Sequence, residues 1–277
     1  MNYVQDKVIL VTGAASGFGR LTSDKAAALG GKLVCVDLNA NALNDVVEAI
    51  KASGGEAIAV VADVADIDAF RAAVAKGVEA FGRLDVLVNN AGTMPLAFIS
   101  DHAAALSAWN KCIDVNFRGV INGTAAVYDQ MVEQGGGQIV NVSSIYGNHP
   151  VIGSGVYGAT KAAVNYFSNS VRQESRGKIK VSVVKPTGVI GTGLGGTVIN
   201  PMGLAGILAQ NAPEFHDFVA KQATGELEPS AVDPEGLGYQ NLDQSFIADA
   251  IVHVINQPLG VTLSEITVRA SSDPYIL

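Results

Sequence analysis

Short runs of apolar, mostly β-branched residues alternate along the chain with longer, Ala-rich helical patterns. The runs KVILVT (7–12), KLVCVD (32–37), AIAVV (57–61), LDVLV (84–88), GQIVNVS (137–143) and IKVSVVK (179–185) read as strands. Between them, the stretches 17–30, 40–53, 66–82, 101–134 and 154–176 read as helices. A last helix at 243–257, stopped before Pro258, precedes a final strand at 265–270. The apolar runs are continuous rather than alternating, which predicts strands buried on both faces of a parallel sheet. Right-handed crossovers between such strands give an α/β fold, a Rossmann-like, doubly wound, mostly parallel seven-stranded sheet with helices on both faces. No linker, composition shift or fixed-period repeat divides these units, so 1–277 reads as a single domain. The exception in texture is 188–241. It opens on Gly191, Gly193, Gly195 and Gly196, passes through LAGILA, and continues into a Pro- and acid-containing stretch. That segment reads as a substrate lid over the carboxyl ends of the strands, the alternative being an insert without function.

Charge and cysteine content narrow the function classes. The 277 residues carry 26 acidic and 18 basic side chains, a formal net charge of −8, which argues against nucleic acid or an anionic membrane as partner. Two cysteines, Cys35 and Cys112, cannot build a disulfide scaffold and suit a reducing compartment. Neither has a Cys or His neighbour at ligand spacing and the four histidines are scattered, so no metal is expected and both thiols read as small buried hydrophobes. The first apolar run, 8–11, is too short for a signal-peptide core, and no stretch approaches the ~20 apolar residues of a membrane span. A soluble cytoplasmic protein is the expectation. Residues 213–241 hold Glu214, Asp217, Glu226, Glu228, Asp233 and Glu235 against the single Lys221, so most of the net charge sits in the outer lid.

Candidate chemistry begins at the first strand. Thr12-Gly13-Ala14-Ala15-Ser16-Gly17-Phe18-Gly19 leads straight into a helix. Glycines permit a tight turn and close backbone approach to a pyrophosphate, while the helix N-terminus supplies unpaired N–H groups. Asp37 closes the second strand 18 residues beyond Gly19, where a carboxylate can accept from adenosine ribose hydroxyls. Its charge would repel a 2′-phosphate, and Ala14, Ala15, Leu38 and Asn39 offer no compensating cation. NAD is therefore expected over NADP. Further on, Tyr157 and Lys161 stand at i and i+4 on one helix face, and Ser143 and Ser144 end a strand with Ser144 thirteen residues before the tyrosine.

With TGAASGFG at 12–19, Asp63, NNAG at 89–92, Asn116, the strand-end serine, YGATK and Pro186 in order, the sequence strongly resembles the short-chain dehydrogenase/reductase family. The resemblance covers about 180 residues. It implies Tyr157 as catalytic acid/base and Ser144, rather than Ser143, as the holder of the substrate oxygen. Lys161 would bind the nicotinamide ribose and lower the Tyr157 pKa, and Asn116 would kink a helix and hold a water in the proton relay. Gly13, Ser16, Gly17, Phe18, Gly19, Asp37, Leu38, Asp63, Val64, Asn90, Ala91 and Gly92 would line the cofactor. So would Pro186, Thr187 and Val189, with Tyr157 and Lys161. A free tyrosine ionises near pH 10, so a base at neutral pH needs a fall of roughly two to three units, or ~3–4 kcal/mol. One cation at ~5 Å and an effective dielectric near 20 supplies about 3 kcal/mol, so Lys161 alone is marginal and oxidised nicotinamide would add to it. Two departures stand out. Phe18 replaces the family's usual Ile or Leu, and Pro186-Thr187-Gly188-Val189 inserts Thr187 where many members have Pro-Gly directly.

The expected pocket holds Met94, Ser144, Ile145, Tyr146, His149, Thr187 and Leu194, with Thr93, Pro95, Val151 and 198–215 nearby. Lys185 is expected to be solvated, His149 reads as exposed, and Trp109 as helix packing. An uncharged or weakly polar secondary alcohol or ketone, cyclic, aromatic or terpenoid-like, follows as the expected substrate. The alternatives are an NAD(P)H-dependent reductase of 3-oxoacyl or other biosynthetic ketones, and a catalytically silent cofactor-sensing protein on the same fold. The resemblance also implies a homotetramer or homodimer.

Overall fold

In a computed structural model, described for residues 1–189, 191–240 and 242–276, seven parallel strands form one sheet in the order β3-β2-β1-β4-β5-β6-β7. The strands are β1 (Val8–Thr12), β2 (Lys32–Asp37), β3 (Glu56–Val61), β4 (Val86–Asn89), β5 (Gly137–Val142), β6 (Ile179–Pro186) and β7 (Glu265–Val268). Alternate residues of β1 show why its sequence is apolar throughout. Ile9 and Val11 enter one buried cluster and Val8 and Leu10 the other. On the first face pack α1 (Gly17–Ala28), α2 (Ala40–Ala52) and α10 (Gln244–Ile255), through Phe18, Leu43, Val46, Ile247 and Ile251. On the second lie α3 (Ile67–Phe81), α5 (Gly119–Glu133) and α6 (Gly155–Glu174), through Phe70, Val74, Val127, Met131 and Val171. Helix starts follow their side chains: Asn39, Asp66 and Asp243 accept backbone N–H groups at the heads of α2, α3 and α10.

The stretch read as a helix over 101–134 is helical from His102 to Glu133 but not α-helical throughout. α4 (His102–Ile113) passes into a π-turn over Asp114–Arg118 before α5 resumes, and Gly119 N–H bonds back to Asp114. The extra residue puts Asn116 into the interior and is of the kind that marks functional sites in helices. Between β6 and α10 the chain forms short 3₁₀ turns, α7 (Ala205–Leu208), α8 (Ala212–Thr224) and α9 (Pro229–Val232). Ile190 and Asn241, inside the lid range read from the sequence, lie outside the described residues. Among the described residues no helix is long and apolar enough to cross a membrane.

Sequential strands run outward from β1 in both directions, first to β2 and β3, then from β4 to β7. The topological switch point therefore lies between β1 and β4, and a crevice is expected outside their carboxyl ends.

Candidate active site

The glycine loop is shaped for an approaching ligand. Gly13 and Gly17 have φ of +67° and +53°, a region costly for residues with a Cβ. A Cβ on Gly13 would fall 2.9 Å from the Asn90 amide nitrogen, and one on Gly19 only 2.1 Å from the Gly13 carbonyl oxygen. The loop therefore lies against both the chain after β4 and the first turn of α1. Ser16, at the head of α1, makes no side-chain cap, and no acidic residue sits in that first turn. Its N–H groups and positive dipole end thus face outward beside the switch point, as an anion requires. Phe18 is buried under the loop in the α1 core.

Two neighbouring loops are tied to this one. The Thr12 hydroxyl accepts from the backbone N–H of Asn90 and Ala91 at 3.0 and 3.1 Å, while the Asn90 side chain donates to the Thr12 carbonyl at 2.9 Å. Asn89 points the other way, into the core, donating to Asn141 at 2.9 Å. Within NNAG, then, the second asparagine faces the crevice with Ala91 and the exposed Gly92. At the tip of β2, Asp37 accepts from Ala15 N–H at 3.1 Å and from Asn39 N–H at 2.9 Å. Leu38 beside it is 56% exposed. Asp63, after β3, is exposed and accepts from Ala65 N–H, with Val64 buried next to it. Glycine conformation, free helix N–H groups and a strand-end carboxylate fit the pyrophosphate and ribose of a dinucleotide.

At the ends of β5 and β6 the polar side chains converge. Ser143 donates to the Lys161 carbonyl at 3.1 Å, whereas Ser144 engages Tyr157 and accepts from Tyr146 N–H at 3.2 Å. Strand alternation sends the two serines in opposite directions, and Ser144 is the one that meets the tyrosine. Lys161, one helical turn beyond Tyr157, donates from Nζ to the Val142 carbonyl at 2.9 Å, with Nζ 5.9 Å from the Tyr157 ring centre. Tyr157 is 4% exposed and Lys161 5%.

That burial governs how the pair ionises without cofactor. The Tyr157 pKa is pushed up to about 12 by desolvation, against a downward pull from the Ser144 hydrogen bond. Lys161 is itself driven down to about 8 by burial. In the cofactor-free protein, removing a phenolate from water outweighs the attraction of an ammonium that is poorly solvated too. Lys161 does not lower the tyrosine on its own here.

Asn116 is locked to the loop after β4. Its Oδ1 accepts from Thr93 N–H at 2.9 Å, and its Nδ2 donates to the Thr93 carbonyl at 2.9 Å and to Thr160 Oγ1 at 3.3 Å. The Cys112 sulfur is 3.2 Å from the same nitrogen. The π-turn thus serves to fasten residues 92–94 beside Lys161.

An apolar cluster walls the hydroxyls: Leu96, Cys112, Ile145, Tyr146, Tyr157, Ile207 and Leu208, with Met94, Val151, Val198, Leu204 and Phe215 against it. Leu194 is half-buried, its carbonyl taken by the Thr197 hydroxyl, and it is not one of these residues. His149 is exposed. Trp109 is buried and donates to the Pro95 carbonyl at 3.1 Å. Both cysteines are buried. Lys185, expected in solvent, is only 6% exposed. It bonds Asn148 at 2.9 Å and Glu265 at 2.7 Å, because edge strand β7 supplies a carboxylate that no local pattern announces.

The C-terminal tail was not legible as part of this site. Pro186 is buried at the end of β6, and Thr187 donates from Oγ1 to Asp273 at 3.2 Å. Asp273 is also held by Arg269. Val189 pairs with Leu242 in an isolated parallel bridge. The Tyr275 ring lies directly over Gly188, where a Cβ would come within 1.9 Å of it, and also meets Phe215 at 6.2 Å between ring centres. The tail is fixed further by Asn211 donating to the Pro274 carbonyl and by Ile276 N–H donating to Ile207. A tyrosine near a chain end, 87 residues from Gly188, carries no motif; only the fold brings it here.

Comparison with known proteins agrees with this geometry. Residues 7–200 match the family described as short chain dehydrogenase. An oxidoreductase of Staphylococcus saprophyticus is 33% identical over 273 residues, 98% of this chain and 99% of the relative. A 2,5-dichloro-2,5-cyclohexadiene-1,4-diol dehydrogenase of Sphingobium indicum is 38% identical over 191 residues, 68% of this chain and 75% of the relative. Among solved structures, a short chain dehydrogenase/reductase from Burkholderia phymatum in complex with NAD has a TM-score of 0.75 at 26% identity, over 96% of this chain and 90% of that one. An alcohol dehydrogenase from Thermococcus sibiricus, complexed with 5-hydroxy-NADP, has a TM-score of 0.75 at 20% identity, over 95% and 96%, and shares the fold.

Proposed function

The chain belongs to the short-chain dehydrogenase family and is an oxidoreductase, and from that premise we propose that it interconverts a secondary alcohol and its ketone with NAD, acting on a cyclic, apolar or weakly polar substrate. The observation that carries this reading is the meeting of Ser144, Tyr157 and Lys161 inside an apolar compartment, next to a glycine loop and strand-end carboxylate suited to a dinucleotide. When bound, the nicotinamide supplies the hydride acceptor or donor.

The chain's own residues handle the proton and the oxygen. Tyr157 Oη removes the substrate hydroxyl proton in oxidation and returns it in reduction. Ser144 Oγ, beside that phenol, donates to the substrate oxygen as its charge changes. Lys161 holds a positive charge beneath the tyrosine, and Asn116 keeps the 92–94 loop in place beside it. In the cofactor-free protein Tyr157 is protonated at neutral pH, so it is set as a donor. Asp37, with exposed Leu38 and no cation on the adjoining loop, supports NAD over NADP. The NAD complex of the Burkholderia phymatum relative is consistent with that choice. The Sphingobium indicum relative's cyclic diol supports a ring-shaped substrate. Val198, Leu204 and Phe215, packed on the Tyr157 cluster, support a lid role for 188–241.

A panel of secondary alcohols assayed with NAD, following absorbance of the reduced cofactor, tests the reading. Tyr157→Phe should lower turnover of any alcohol accepted by at least about 10²-fold, with NAD binding kept. Turnover retained in that variant removes Tyr157 from its role.

A further inference from the structure

Tyr146 is buried to 8% exposure, yet its phenolic oxygen has no hydrogen-bond partner among the described residues. A buried tyrosine normally satisfies its hydroxyl, and one left unpaired costs roughly 1–3 kcal/mol, so each such group asks for an explanation. Other buried polar groups also lack partners, among them Thr124 in α5 and Ser182 in β6. Tyr146 is the one stacked edge-on against Tyr157, with ring centres 5.4 Å apart. Its backbone is pinned as well, since its N–H donates to Ser144 Oγ, the hydroxyl that engages Tyr157. The orphan phenol is therefore carried on the residue that positions the reacting pair.

We propose that Tyr146 Oη binds a second oxygen of the substrate, so that the site takes a ring diol or hydroxyketone in preference to the ring alcohol with one oxygen. This rests on the alcohol–ketone reading above and deepens it. The surroundings point the same way. The buried cluster that holds Tyr146 is otherwise apolar or aromatic, with Ile207, Leu208, Val151, Phe215 and Tyr275 among its residues. Apolar walls hold the carbon ring and exert little choice between ring alcohols. One unpaired hydroxyl in such a wall discriminates strongly, because a substrate lacking the matching oxygen leaves it unpaired in the complex. Burial pushes Tyr146 far above the usual phenol range, with Tyr157 and Tyr275 adding to the rise, so it is a neutral donor at every working pH. A neutral donor recognises a hydroxyl or carbonyl oxygen without calling for charge on the substrate.

The test compares cyclohexanol with cyclohexane-1,2-diol and cyclohexane-1,4-diol, each with NAD, in the wild-type protein and in Tyr146→Phe. Wild type should favour at least one diol by about tenfold or more in kcat/KM. The diol-to-monool ratio should collapse toward one in the variant, whatever happens to the common rate. NAD titration and thermal melting establish that the variant is folded. The wild-type ratio needs no variant, so misfolding of Tyr146→Phe leaves the proposal open to refutation. Equal use of monool and diols by wild type, or a ratio unchanged in Tyr146→Phe, overturns this proposal and leaves the alcohol dehydrogenase reading standing. Oxidation of no secondary alcohol by the wild-type protein overturns both.

Discussion

Lys161 carries an ammonium into a compartment where its hydrogen-bond acceptor is the Val142 carbonyl, and its pKa falls to about 8. In the unfolded chain the same group titrates near 10.5, so between these values the unfolded chain binds more protons. Stability therefore rises with pH across that window, and below about pH 8 the full burial penalty applies. Lys161→Met should accordingly raise the melting temperature of the cofactor-free protein at pH 7 by about 2–4 °C, while turnover collapses. The gain should close as pH climbs from 8 to 10.5, where wild-type Lys161 sheds its proton. A variant that melts lower than wild type at pH 7 contradicts this account. Thermal melts at several pH values measure it directly. Tyr157 acts in the opposite direction and later, its pKa being raised, so its contribution is lost only as pH rises from 10 toward 12. Sequence spacing identified both side chains and their shared helix face. The sign of the tyrosine shift was not readable, because desolvation depends on what encloses a group and not on its neighbours in the chain.

Among the elements, the strands were the most legible, since a run buried on both faces leaves a continuous apolar signature. The helical stretch 101–134 hides its internal change of pitch. Periodicity survives a π-turn, so nothing in the pattern separates α4 from α5 at Asp114–Arg118. The tail is the sharper case. Of its four polar anchors, Thr187, Asn211 and Ile207 lie far from the tail in sequence, and Arg269 reaches it across a few residues only. Gly188 is the element that receives it, and a side chain there would overlap the Tyr275 ring. Gly188→Ala is expected to lift the tail from the end of β6, raising its rate of removal by a carboxypeptidase at least about tenfold, given the small free energies that hold local segments. The double variant Gly188→Ala/Tyr275→Gly should show no further clash and recover the wild-type melting temperature of the body. An unchanged digestion rate in Gly188→Ala would mean that the ring does not rest there in solution.

Across the whole molecule, the site is assembled at the carboxyl edge of the sheet from the glycine loop after β1, Asp37 of β2, the loop after β4 and the serines after β5. Asp37 gives this assembly its sign. A 2′-phosphate placed on the ribose side would meet that carboxylate with no cation on the adjoining loop, and like charges at such range cost several kcal/mol. NAD should therefore bind at least about tenfold more tightly than NADP, a difference of roughly 1.4 kcal/mol, and Asp37→Ala should shrink the gap. Fluorescence titration of wild type and variant with both cofactors reads this, and tighter NADP binding by wild type would sink the argument. The net charge of −8 belongs largely to a different part of the molecule, the outer segment 213–241, where α8 carries Glu214 and Asp217 and the turns around α9 carry Glu226, Glu228, Asp233 and Glu235. Strand positions, the glycine turn and the Tyr157–Lys161 pairing all follow from the chain, because hydrophobic period, backbone permissiveness and helical repeat are local properties that residues a few positions apart fix between them. The seating of Tyr275 on Gly188, the unpaired hydroxyl of Tyr146, the burial of Lys185 against Glu265 and the upward shift of Tyr157 came only from packing. Each depends on the exclusion of water by segments distant in sequence, and that exclusion exists nowhere until the sheet, its helices and the tail have come together.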